Sequence, residues 1–289
     1  MKKFAVIDIG SNSVRCMMVA DGKILYKTLK TTRLGEGVAL DKTLKESAIC
    51  RTAQAVADFF HRTKAEGAEK VYAFATAAAR SATNGDAFVA YVKSLCGLDV
   101  EVLSGEEEAE IGILGALGGK DGSIIDVGGA STEIITQRNG QIVYAKSVDV
   151  GVVRLKDKFG RNREQLQAYA NEQVKSFGAA EWENPIILIG GTATTLGAVQ
   201  AGLTEYQADK VTGVTVTIDG LKKTTDRLFA LSVEEIASIP CVERKRADVL
   251  SGGALWLKTI AEHFAIKRFT VSDSDNLEGY AIKRGLMQI

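Results

Sequence analysis

The sequence predicts a duplicated α/β protein of two lobes, and three observations carry that prediction. A short apolar strand ending in Asp and breaking into a small, hydroxyl-rich glycine turn occurs twice. The first copy is Phe4-Ala-Val-Ile-Asp8-Ile-Gly10-Ser-Asn-Ser13, and the second is Ser123-Ile-Ile-Asp126-Val-Gly128-Gly-Ala-Ser-Thr-Glu133. The order strand-strand-strand-helix-strand-helix is also given twice. Finally, 289 residues are long for a single core.

In the first lobe the pattern predicts strands at about 3–9, 13–20 and 22–30, then the glycine-rich loop that starts at Arg33. A helix over about 43–66 follows, because Ile49, Ala53, Val56, Phe59 and Phe60 recur at helical spacing. A strand at 70–75, helices near 77–82 and 85–96, a strand at 99–103 and a helix at 105–117 complete the lobe. The second lobe repeats the plan with strands at 122–127, 131–137 and 140–149, helices near 151–158 and 162–177, and a strand at 185–189. Helices near 191–201, 219–229 and 245–263 and a strand at 268–272 follow. Domain boundaries are expected at 1–117 and 118–275, with Gly118–Gly122 as the hinge. A last helix at about 276–287, in a terminal segment 276–289, is expected to pack back on the first lobe.

Composition is that of a soluble globular protein, 46% apolar and 25% charged. Lys+Arg and Asp+Glu both number 36, so no global charge draws the chain to nucleic acid or an anionic membrane, and neither is expected as a partner. No apolar run approaches the ~20 residues of a membrane span. Cys16, Cys50, Cys96 and Cys241 are scattered without a Cys-x-x-Cys pair, which suits reduced thiols and a cytoplasmic location.

Chemistry concentrates in the turns. A strand that ends in Asp and opens into Gly and Ser exposes N–H groups for phosphate oxygens and places a carboxylate to meet a metal ion. A third loop, Ile189-Gly190-Gly191-Thr192, runs from a buried strand into a helix, whose N-terminus is a ready anion site. A fourth element, Ser104-Gly-Glu106-Glu107-Glu108-Ala109, opens a helix and also reads as a capping box. Arg80 and Arg154 are candidate phosphate clamps, and the run Glu243-Arg-Lys-Arg-Ala-Asp248 reads as a solvated helix face. His61 and His263 have no partners for a triad or metal site, and there is no Gly-x-x-x-x-Gly-Lys-Ser/Thr loop.

Taken in this order, the motifs resemble those of the exopolyphosphatase/guanosine pentaphosphate phosphohydrolase (Ppx/GppA) family. They are Ile7-Asp-Ile-Gly-Ser-Asn-Ser13, Ala75-Thr-Ala-Ala-Ala-Arg80-Ser-Ala-Thr-Asn84, Ser104-Gly-Glu-Glu-Glu-Ala109, Asp126-Val-Gly-Gly-Ala-Ser-Thr-Glu133, Gly190-Gly-Thr-Ala-Thr-Thr195, and Val271-Ser-Asp with Glu278-Gly279. The resemblance implies the two-lobe actin-like (ribonuclease H-like) fold of the ATPase/sugar-kinase superfamily, in the short form without a C-terminal HD-type domain. It implies Glu108 as base for water, with Arg80 facing the phosphates. Phosphate binding falls to Asp8, Gly10, Ser11, Asn12, Ser13, Gly128, Gly129, Ala130, Ser131, Thr132, Gly190, Gly191 and Thr192. Asp126 and Glu133 are implied to hold Mg²⁺ or another divalent cation such as Mn²⁺. A homodimer is also expected from the family. Three positions depart from the family pattern: Ala130 stands for glycine, Glu110 for arginine, and Leu277 for the arginine of Leu-Arg-Glu-Gly. Together, through the two missing arginines, they remove positive charge near the expected cleft.

The activity so implied is Mg²⁺-assisted release of terminal phosphate from inorganic polyphosphate. The same machinery would serve the 5′ phosphate of guanosine pentaphosphate. A nucleotide-dependent kinase and a binding or sensor protein that keeps the site without turnover are the other readings.

Overall fold

The structure, a computed structural model, describes residues 2–288, with no side-chain description of Ala39 and Leu40, so the expected end points 1 and 289 lie outside the described residues. The chain divides into two units, one holding the chain up to Gly119 and again from Asp275, the other Lys120–Ser274. The first unit runs β1 (Lys3–Ile9), β2 (Ser13–Ala20), β3 (Lys23–Thr31), α1 (Val38–Asp41), α2 (Glu46–Ala65), β4 (Lys70–Ala75), α3 (Ala77–Ser81), α4 (Gly85–Cys96), β5 (Glu101–Val102) and α5 (Gly105–Leu117). The second unit opens with β6 (Gly122–Val127), β7 (Thr132–Arg138), β8 (Gln141–Val148), α6 (Val152–Phe159), α7 (Arg163–Gln173), β9 (Ile186–Ile189) and α8 (Gly190–Gln200). It continues with α9 (Ala208–Val211), β10 (Thr215–Thr217), α10 (Ile218–Ala230), α11 (Val233–Ala237), α12 (Ala247–His263) and β11 (Arg268–Val271); α13 (Asn276–Lys283) belongs to the first unit.

The two sheets share one plan. Strand order is β3-β2-β1-β4-β5 in the first unit, and read from its other end the second gives β8-β7-β6-β9-β11-β10. In each, the first three strands are an antiparallel meander and the next two join in parallel. The second sheet adds β10, antiparallel to β11, at its edge. This is the duplicated α/β order of the actin-like, ribonuclease H-like plan.

In the first unit β1 lies inside the sheet and is covered on both faces, so it reads as a nearly unbroken apolar run. Ile7 and Ile9 pack with Val56, Phe59 and Phe88 of α2 and α4. The alternate residue, Val6, packs with Met17, Phe74, Ile111, Leu277 and Tyr280, on the side of α5 and α13. Helices α5 and α13 cross with backbones nearly touching: a Cβ on Gly115 would lie 1.8 Å from the Asp275 oxygen, and one on Gly279 1.6 Å from that of Ile111. Only glycine fits either place.

Several boundaries differ from expectation for local reasons. The helix expected from 43 starts at Glu46, because Lys42 is left-handed (φ 56°) and Lys45 is extended. The strand expected over 99–103 shrinks to Glu101–Val102, with only two register pairs to β4. The helix expected over 162–177 stops at Gln173 and tightens into a 3₁₀ turn over Val174–Phe177. The last helix ends at Lys283, two residues before a left-handed Gly285 (φ 69°). The short elements α1, α9, α11 and β10 were not anticipated, being too brief for periodicity to mark.

Candidate active site

The two glycine turns have the same backbone. Gly10 N–H donates to the Ser13 carbonyl at 3.0 Å, and Gly128 N–H donates to the Ser131 carbonyl at 3.0 Å. A Cβ on either glycine would meet that serine oxygen at 3.2 Å. The carbonyls of each turn are taken from behind. Ser11 accepts from Gly35 N–H at 2.9 Å, and Asn12 from Thr32 (3.0 Å) and Arg33 (2.8 Å). In the second unit Gly128 accepts from Val152 (3.0 Å), and Gly129 from Val153 (2.9 Å) and Arg154 (3.3 Å). A trans peptide points its C=O and the following N–H in opposite directions. The N–H groups of Asn12 and Ser13, and of Gly129 and Ala130, therefore turn away from these supports, as an anion-binding nest requires.

Of the three consecutive glutamates on α5, the fold separates the roles. Ser104 caps the helix: its hydroxyl accepts from Glu107 N–H (3.2 Å), and the Glu107 carboxylate accepts from Ser104 N–H (2.9 Å). Glu106 is exposed, whereas Glu108 turns inward and is 7% exposed. Arg80 Nη1 donates to Glu108 Oε2 at 2.8 Å and to the Leu103 carbonyl at 2.8 Å, so the two residues expected to be catalytic meet in one ion pair. Burial pushes the Glu108 carboxyl above its ordinary range, Arg80 and the Thr76 hydroxyl pull it back, and Asp8 adds to the rise. The result is a carboxylate with raised proton affinity, suited to taking a proton near neutral pH.

Asp8 lies on the same sheet face, opposite Arg15 in the β1–β2 register. Arg15 Nε donates to Asp8 Oδ2 at 2.9 Å, Nη2 donates to the same oxygen, and Nη1 donates to Asp275 Oδ2. Burial pushes Asp8 upward against the pull of Arg15. Sequence reasoning passed over Arg15, although its register with Asp8 follows from the tight turn between them.

In the second unit Asp126 and Glu133 are register partners on β6 and β7, so their side chains share one face, opposite that of Ile125, Val127 and Ile134 in the core. Glu133 is buried, and its Oε1 accepts from the Ser147 hydroxyl at 2.5 Å. Among the described residues no group of three His, Cys, Asp or Glu could hold a metal ion. The pair fits a magnesium-like ion nonetheless, since such ions take one or two carboxylates and fill the other positions with water and phosphate oxygens.

The third loop joins this face. Gly190 is left-handed (φ 84°), and a Cβ there would lie 2.5 Å from Asp126 Oδ1. A Cβ on Gly191 would fall 1.4 Å from Arg246 Nη1, so this guanidinium lies against the first turn of α8. The arginine-lysine run was expected on a solvated face. Arg246 instead has a side chain only 13% exposed and pairs with Glu243 at 2.9 Å. Spacing in the run does not distinguish Arg246 from Arg244 or Lys245; only the glycine opposite it signals close approach.

Thr132 departs from the expected role through its side chain. Its hydroxyl is fully buried, donates to the Val150 carbonyl at 2.5 Å and accepts from Trp256 Nε1 at 2.8 Å. The fold commits it to the core rather than to an anion. Thr192 is buried too, with a Cβ on Gly253 of α12 due 2.6 Å from its methyl. Arg154 is buried, 3.3 Å from Asp149. The three departures also find places: Ala130 and Leu277 are buried, and Glu110 pairs with Lys283 at 2.8 Å on the surface.

The description Ppx/GppA phosphatase family matches residues 4–285. Exopolyphosphatase 2 of Mycobacterium tuberculosis is 30% identical, with 98% of each chain covered. A bifunctional 3-dehydroquinate synthase/phosphatase of Fusobacterium nucleatum is 31% identical over 98% of this chain but only 46% of its own length. Among solved structures, the Aquifex aeolicus member of the Ppx/GppA family superposes with a TM-score of 0.79 at 29% identity, covering 99% of this chain and 98% of that one. An exopolyphosphatase from Cytophaga hutchinsonii, 22% identical, shares the fold with a TM-score of 0.87, over 99% of this chain and 100% of that one. With the family description matched over nearly its whole length, the chain belongs to the Ppx/GppA phosphatase family.

Proposed function

We propose that this phosphoanhydride hydrolase releases terminal phosphate from inorganic polyphosphate, with Glu108 as the base. The observation that carries the reading is the buried Glu108–Arg80 pair beside Asp8, where the carboxyl holds a raised proton affinity. Glu108 orients a water, takes its proton and directs the oxygen in line at the terminal phosphorus. Arg80 holds the carboxylate in place by a single 2.8 Å hydrogen bond and spreads positive charge beside the phosphoryl oxygens. In the first unit the Gly10–Ser13 turn, and in the second the Gly128–Ser131 turn and the α8 N-terminus, each offer backbone N–H groups to phosphate oxygens. Asp126 and Glu133 hold Mg²⁺ or a similar ion, which when bound neutralises phosphate charge. Positioning and charge neutralisation supply most of the rate, because phosphoryl transfer asks little covalent chemistry of the protein.

The near-complete alignment with exopolyphosphatase 2 supports polyphosphate as substrate. A cytoplasmic setting accords with four free cysteines, and no helix among the described residues is long and apolar enough to cross a membrane. The test is phosphate release from long polyphosphate with Mg²⁺, wild type beside Glu108→Gln, with guanosine pentaphosphate and ATP in parallel. Release from polyphosphate that disappears in the variant supports the reading. Release confined to the guanosine nucleotide moves the substrate to that alarmone, and binding without release of any phosphate makes the protein a sensor.

A further inference from the structure

We infer that Asp275 is a specificity-determining residue: by holding Arg15 it withholds positive charge from the first phosphate turn and weakens the grip on polyanions. This rests on the proposed polyphosphate reading and deepens it.

Asp8 and Arg15 face α5 and α13, and Asp275 is the residue from which α13 starts. It is 3% exposed, and its Oδ1 accepts from Leu277 N–H at 3.2 Å as the helix cap. Its other oxygen accepts from Arg15 Nη1, while Nε and Nη2 of the same guanidinium are spent on Asp8. Capping requires only an oxygen acceptor, and asparagine or serine caps as well as aspartate. The negative charge is therefore surplus to the cap, and burying a charge is costly unless a partner repays it. Arg15 is that partner.

The consequence is a site short of positive charge. Asp8, Glu108, Asp275 and Glu278 stand against Arg15, Arg80 and Lys27, whose ammonium donates to Glu278 at 2.8 Å. Carboxylates exceed cations by one among these residues, and Asp8 among them sits two residues before Gly10. With Asp275 neutral, Arg15 and Asp8 balance alone. The guanidinium edge now bound to Asp275 then contributes its field to an arriving phosphate. Burial pushes Glu278 upward and the neighbouring Asp275 adds to it, as a crowded carboxylate group predicts.

The experiment is calorimetric titration of the full chain with tripolyphosphate near pH 7.5 without divalent ions, for wild type, Asp275→Asn and Asp275→Ser. Thermal melting of each protein and phosphate release from long polyphosphate with Mg²⁺ are measured alongside. Both variants retain a cap, so their melting should stay close to wild type, while both bind tripolyphosphate about tenfold tighter. A purely capping role predicts no gain in affinity. Unchanged or weaker binding in folded variants overturns the inference, and so does failure of all three proteins to bind. A gain in affinity with no phosphate release from wild type keeps the role of Asp275 and rejects polyphosphate hydrolysis.

Discussion

The first and second glycine turns share one backbone hydrogen bond and differ in the charge that faces each Asp. In both, glycine N–H meets a serine carbonyl at 3.0 Å and an Asp sits two residues before that glycine. The residue across the antiparallel ladder differs: Asp8 faces Arg15, and Asp126 faces Glu133. The first carboxylate shares a guanidinium with Asp275, whereas the second stands beside another carboxylate. Identical turns thus assign different work, with cation binding proposed only where two carboxylates share a strand face. The supports differ as well. The loop around Gly35 backs the first turn, and the N-terminus of α6 backs the second.

The largest effect expected from testing this contrast is at Glu108, the base proposed in the first unit. Glu108→Gln should lower kcat about 10²–10⁴-fold while leaving binding of tripolyphosphate by calorimetry near wild type. The wild-type pH profile should carry the same signature. Glu108 must be ionised to act, and burial raises its proton affinity, so kcat should be full well above that raised pKa. The rate should then fall on acidification before the ordinary carboxylate range is reached; an acidic limb inside that range speaks against Glu108 as the base.

Next in size is the carboxylate pair. Glu133→Gln should raise the Mg²⁺ concentration for half-maximal activity at least about tenfold, and Asp8→Asn should not shift it comparably. Equal shifts from the two would erase the distinction between the turns.

The glycine supports come third, read by thermal or denaturant unfolding. A Cβ on Gly151 would lie 2.4 Å from the Gly129 carbonyl, a rigid backbone contact, so Gly151→Ala should cost about 3 kcal/mol and slow turnover. The counterpart Gly35→Ala meets the Ser11 Cβ at 2.9 Å and should cost less, about 1–2 kcal/mol. The smallest effect on function is expected at Thr132. Thr132→Val strands Trp256 Nε1 and the Val150 carbonyl and should cost about 2 kcal/mol of stability, with tripolyphosphate affinity unchanged. A large affinity loss there would return Thr132 to the phosphate site.

How much was legible follows from the range of each interaction. Asp-x-Gly turns, the Ser104 cap and the strands beside them depend on residues within a few positions, and the chain announces them directly. Glu108 was singled out only through family likeness, since spacing alone favoured a capping box; the structure shows that Glu107 takes the cap and Glu108 turns inward. Arg246 and Asp275 were not legible. Arg246 is defined by Gly191 and Asp275 by Arg15, each far along the chain, and nothing local distinguishes them from ordinary surface charge or a helix cap.

By itself, then, the sequence determined the duplicated α/β plan, both turns and the helix that bears the proposed base, because hydrophobic period, glycine placement and capping act over short spans. Only the tertiary structure decided which charge faces which. The β1–β2 and β6–β7 registers match Asp8 with Arg15 and Asp126 with Glu133, while the glycine-to-glycine crossing of α5 and α13 brings Asp275 within reach of Arg15. Ion pairing depends on distance in space and on burial, and neither is set by distance along the chain.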